Sequence, residues 1–124
     1  MNELDATDTR AAREFLRAGL AEVRIRPWIQ GATRRECDGG VCAMGALFAA
    51  QVTARRRGHA VSGDCLLDAH NRLESAARDL AGDGVSVADF NDNHAETKAD
   101  IIALYEKAIA DSQIAPSDKG ETSQ

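Results

Sequence analysis

Aromatic residues, prolines and long apolar runs are all scarce in this chain, and each shortage removes a class of protein. With only 4% aromatic residues, the core has to be built mainly from Ala, Leu, Val and Ile, which favours closely packed helices over a β-sandwich. The most apolar stretch, Val41 to Ala50, is half the length of the roughly 20-residue segment that spans a bilayer, so no membrane contact is expected. The N-terminus, Met1-Asn2-Glu3-Leu4-Asp5-Ala6, is polar and acidic where a secretion signal would be apolar. A cytosolic protein with reduced thiols is therefore expected, its cysteines being Cys37, Cys42 and Cys65. The sequence has no glycine-rich phosphate loop, Ser-His-Asp set or dinucleotide fingerprint, and it shows neither internal repeats nor heptads.

The 124 residues suit one domain with one core. A net charge of −5 argues against general nucleic-acid binding, yet the charge is unevenly spread. Residues 1–57 carry 10 arginines against 7 acidic side chains, whereas residues 58–124 carry 5 basic against 13 acidic. Two consequences are open: the halves fold against each other, or they form faces of opposite sign that steer partners.

Local patterns divide the chain into four helices. Residues 1–7 read as a frayed lead-in, with Asp8 or Thr9 as cap. Ala12, Phe15, Leu16, Gly19, Leu20 and Val23 then recur at helical spacing up to the block at Pro27. Trp28 seals the following corner or contacts a ligand or partner, and residues 31–40 read as loop. The run Val41 to Ala50 has no polar side chain, which predicts a helix surrounded by protein, continuing to Arg57 and capped by Gly58. Arg55, Arg56 and Arg57 complement the dipole of its last turn or form a phosphate-binding patch. Ser62 to Asp64 offer a cap for a third helix with Leu66, Ala69, Leu73, Ala76, Ala77 and Leu80 on one stripe, ended by Gly82 and Gly84. Ser86 and Asp89 suggest a capping box for one helical turn that tucks Val87 and Phe90 inward. A last helix opens at Thr97, with Asp100 in its first turn, and buries Ile101, Leu104, Tyr105, Ala108 and Ile109. The predicted fold is all-α: a compact four-helix domain over residues 8–114 with a central apolar helix at about 41–57, followed by a disordered tail at 115–124.

Taken in order, Trp28-Ile29-Gln30-Gly31, Val41-Cys42-Ala43-Met44-Gly45-Ala46-Leu47, Phe90-Asn91-Asp92 and the helix from Thr97 to Ile109 form a pattern. It resembles a family of uncharacterised small proteins of actinobacteria and their phages, across most of residues 28–109. The family has Trp where this chain has Phe90, so aromatic character is retained. The resemblance implies an actinobacterial or actinophage accessory protein of the cytosol and carries no catalytic residue with it.

Cys42 is the candidate nucleophile, because a thiol in the first turn of a helix gains from the dipole; His94 or His70 would serve as base and Asn91 or Asp92 as orienter. Its apolar flanks, Val41 and Ala43, favour the competing reading of a buried packing cysteine. Cys37, Cys42, Cys65, His59 and His70 lack the paired spacing of a zinc knuckle, and Asn91-Asp92-Asn93 lacks the glycine and glutamate of a calcium loop, so no metal or cofactor is expected. The leading expectation is a protein-binding or regulatory module that uses Trp28, Gln30, Arg34, Arg35, Asn91 and Asp92. A cysteine hydrolase or redox enzyme built on Cys42 comes second. Nucleic-acid contact through Arg24, Arg26, Arg34 and Arg35 comes third.

Overall fold

No glycine precedes Gly19 and no proline precedes Pro27, so nothing interrupts a helix from near the N-terminus to that point. In the computed structural model, which describes residues 3–32, 34–35, 37 and 39–112, α1 accordingly runs from Glu3 to Ile25. It passes through Asp8 and Thr9 without stopping, so residues 3–7 are helical where a frayed lead-in was expected. The tail from residue 113 onward, expected to be disordered, lies outside the described residues.

Between Gly31 and Gly40, expected as loop, the chain makes a small antiparallel ribbon, β1 (Arg34–Arg35) with β2 (Gly40–Val41). Val41 also donates its N–H to Pro27 O (2.9 Å) and accepts from Ile29 N (3.1 Å), which binds the Trp28 strap to the ribbon. The other elements are α2 (Ala43–Arg56), α3 (Gly63–Ala81), the single turn α4 (Val87–Asp89) with a π-turn over Phe90–His94, and α5 (Lys98–Ser112). The domain is thus mostly helical, as expected.

The caps are local and match the sequence. Ser62 Oγ accepts from Cys65 N (3.0 Å) and Ser86 Oγ from Asp89 N (3.0 Å). Asp100 Oδ2 accepts from Glu96 N (2.7 Å) and Thr97 N (3.2 Å) at the start of α5. Gly58, at φ +81°, lets His59 N reach Ala54 O (2.8 Å), a left-handed closure of α2 that a side-chain-bearing residue would strain.

The buried stripes of α1 (Ala12, Phe15, Leu16, Leu20, Val23), α3 (Ala69, Leu73, Ala76, Ala77) and α5 (Ile101, Leu104, Tyr105, Ala108, Ile109) meet in one core. The helix packed among the other three long helices is α1, which lies against α2, α3 and α5. The apolar helix α2 enters the core by Ala43, Gly45, Ala46, Leu47 and Ala50, while Phe48 and Val52 are exposed, so protein surrounds only part of it. A run without polar residues has no periodicity from which its outer face could be read. Leu80, placed on the inner stripe of α3 by its spacing, is also exposed because the helix is ending there.

Close approach of α1 to α5 depends on Gly19. A Cβ there would lie 2.7 Å from Tyr105 Cε2 and 3.1 Å from Leu47 Cδ2. The fully buried Tyr105 donates its hydroxyl to Ala43 O (2.7 Å) and so ties α5 to the first turn of α2. Burial first, and then the nearby Cys42 thiol, hold its phenol well above the ordinary value. In the unfolded chain the phenol ionises near pH 10, whereas in the fold it keeps its proton beyond that point. The stabilisation is therefore complete below about pH 10 and declines as pH rises further. Tyr105 is the only tyrosine. An alkaline ultraviolet titration should show no phenolate until the protein unfolds, and Tyr105→Phe should remove that part of the alkaline loss of stability.

The Asn91 corner as candidate functional site

Four polar residues in a turn, Asn91 to His94, read locally as a solvated corner. The structure turns the first of them inward. Ser86 starts the α4 turn, and Ala95 N then reaches back five residues to Phe90 O (2.8 Å), making a π-turn that buries Phe90 and Asn91 together. Glu74 of α3 supports this turn from below, accepting from Val87 N at 2.5 Å, with His70 Nε2 3.6 Å from the same oxygen.

Asn91 is fully buried, and its amide makes all the hydrogen bonds it can. Oδ1 accepts from Trp28 Nε1 (2.8 Å) and from Ala43 N (2.9 Å), while Nδ2 donates to Ile29 O (3.0 Å) and to Asp92 Oδ1 (2.9 Å). One side chain thus joins the strap after α1, the first turn of α2 and the π-turn. Gln30 closes the outside of the joint, its Nε2 facing Asn91 O (3.0 Å), Asp92 O (3.3 Å) and Ala95 O (3.3 Å). Asp92 Oδ1 accepts in addition from Gly31 N (2.9 Å), where φ is +80°.

The residues nominated from sequence therefore divide. Trp28, Gln30, Asn91 and Asp92 come together, with Trp28 half-buried and Gln30 and Asp92 exposed. Asn91 reaches no solvent, so contact with a partner through its side chain is corrected to a supporting role. Arg34 pairs with Val41 in the ribbon, and Arg35, opposite Gly40, has an exposed side chain. Of the arginines considered for nucleic acid, Arg24 pairs with Glu106 (3.2 Å), and Arg26 pairs with Glu22 (2.6 Å) and donates to Gly39 O (3.1 Å).

Cys42 is the N-cap of α2, its sulfur accepting from Gly45 N at 3.3 Å, with the residue almost wholly buried. The proposed orienter Asn91 lies beside it but spends its amide on Ala43, Trp28, Ile29 and Asp92. The proposed base His94 is exposed, stacks on Phe90 with ring centroids 6.3 Å apart, and has Nε2 3.6 Å from Asp89 Oδ2. His70 faces Glu74. Among the described residues no hydrogen bond links Cys42 to a histidine, and no three His, Cys, Asp or Glu side chains gather as metal ligands.

Two polar residues that sequence reasoning did not single out also matter. Glu22 is buried in α1, with Oε1 on Arg26 Nε and Oε2 accepting from Thr53 Oγ1 (3.3 Å), so it ties α1 to α2 and, through Arg26, to the ribbon. The i, i+4 spacing of Glu22 and Arg26 was the visible signal. Glu74 has the same spacing to His70, but its hydrogen bond to the Val87 amide, 13 residues away, left no signal in the sequence.

Residues 6–111 match a family of unknown function, DUF6197. The chain belongs to that family. No curated protein and no solved structure matches it. The DUF6197 match runs from α1 into α5 and so includes every residue of the Asn91 corner.

Asn91→Leu keeps the approximate volume but strands Ala43 N and Ile29 O, and should cost on the order of 3 kcal/mol in urea unfolding. Trp28→Phe, which removes one of the bonds to Oδ1 and leaves the other, should cost less. Thiol alkylation followed by mass spectrometry should label the exposed Cys37 in the native protein and leave Cys42 unlabelled until denaturant is added.

Proposed function

We propose that this DUF6197 chain is a protein-binding, regulatory module that acts in the cytoplasm, an accessory protein of actinobacterial or actinophage origin. The observation that carries the reading is the state of the corner: its inner polar groups are saturated by one another, while Gln30, Asp92 and Arg35 are exposed and Trp28 is half-exposed. A surface locked in this way loses little conformational entropy on contact, which favours recognition of a folded or folding partner. Trp28 supplies the amphipathic ring, and Gln30, Arg35 and Asp92 the polar rim, with Asn91 as the internal support.

The competing chemistries find less support. The Cys42 sulfur is occupied as a cap and enclosed, and the Arg24 and Arg26 guanidinium groups already have carboxylate partners, which lowers their availability to phosphates. No described helix is long and apolar enough to cross a membrane.

The test is affinity capture from lysate of the source organism, comparing wild type with an Arg34→Glu, Arg35→Glu double variant. The expected outcome is a defined protein captured by the wild type and lost with the variant at unchanged melting temperature. Identical capture by both would remove the corner as the contact surface.

A further inference from the structure

On α2, Phe48, Val52, Arg55 and Arg56 stand at i, i+4, i+7 and i+8 and share one face, opposite the stripe that enters the core. Phe48 and Val52 are 41% and 37% exposed. The arginines that follow them are not needed to finish the helix. Arg57 N bonds Thr53 O, Gly58 N bonds Arg55 O and His59 N bonds Ala54 O, so backbone amides already satisfy the carbonyls of residues 53–55. Nor do they offset acidic neighbours: among the described residues Arg55, Arg56 and Arg57 pair with no carboxylate, whereas Arg17, Arg24, Arg26 and Arg72 each do. Two apolar side chains and two uncompensated cations are left together on the outer face of α2.

We propose that this outer face of α2 docks an acidic amphipathic helix from a partner protein. The partner's apolar residues cover Phe48 and Val52, and its Asp or Glu side chains meet Arg55 and Arg56. A second copy of the chain fits less well, because the first turn of α2 holds no acidic residue, so symmetric α2 pairing brings no carboxylate to the arginines. Nucleic acid makes no use of the apolar stripe. An anionic bilayer gains little from two apolar side chains.

The test uses designed amphipathic peptides that share one apolar face and differ only in carrying Glu, Gln or Lys beside it, titrated into the isotope-labelled full chain. The Glu peptide should shift the amide resonances of Phe48, Val52 and residues 55–57, and the Lys peptide should not. Arg55→Glu with Arg56→Glu should weaken the Glu peptide about tenfold or more, and Phe48→Ala should weaken it with melting temperature unchanged. The Arg34→Glu, Arg35→Glu variant should bind the peptide normally, which separates this site from the Trp28 corner. Absence of shifts on α2 with every Glu peptide, equal binding of the Lys peptide, or self-association through α2 in sedimentation would overturn the proposal. So would shifts on α2 produced by duplex DNA or phosphatidylserine vesicles in place of the Glu peptide.

Discussion

The carboxamide of Asn91 is the point on which the arrangement of the chain depends. An amide has two acceptor positions and two donor positions, and here they reach the indole of Trp28, the N–H of Ala43, the carbonyl of Ile29 and the carboxylate of Asp92. Each bond alone contributes modestly, but in a dry site the loss of the side chain leaves several backbone groups without partners, and that penalty exceeds the sum of the gains. Neighbouring features serve the same joint. Ser86 and Glu74 set the turn that points Asn91 inward, Gln30 closes the joint from outside, and Tyr105 holds the carbonyl of the residue whose N–H Asn91 holds.

Tyr105 and Gly19 extend this control to the helix core. The tyrosine ring occupies the space that a glycine leaves on α1, and its hydroxyl ends on Ala43 of α2, so three helices are spaced by one ring. Glu22 acts similarly further along α1, where its carboxylate answers Arg26 on one side and Thr53 on the other. A core poor in aromatic residues thus places its few polar contacts where helices cross, and alanine fills the remaining interface.

The features legible in the sequence are those whose cause lies within one turn. Gly58, Ser62, Ser86 and Asp100 act on groups at most four residues away, and their positions are sufficient to place helix ends. The stripes of α1, α3 and α5 are legible because polar residues interrupt them. The outward turn of Phe48 and Val52 is not, since alternation is the signal and the apolar run has none. Nor is the placement of α1 among the other helices, which depends on packing between distant segments. At the corner, Trp28, Gln30, Asn91 and Asp92 could be nominated together, but not the burial of Asn91, three of whose four partners are 48 to 63 residues away. Its local surroundings, Asp92-Asn93-His94, indicate the opposite.

Those separations also bear on how the chain folds. Three of the four Asn91 bonds are non-local: the loop between Trp28 and the π-turn has to close before the indole, the Ala43 amide and the Ile29 carbonyl find their partner. Closing a loop of that length costs entropy before any bond repays it. The bonds within the helices are local and carry no such cost. Because the donor of one of the Asn91 bonds is the chain's only tryptophan, the arrival of the native state is written into its fluorescence.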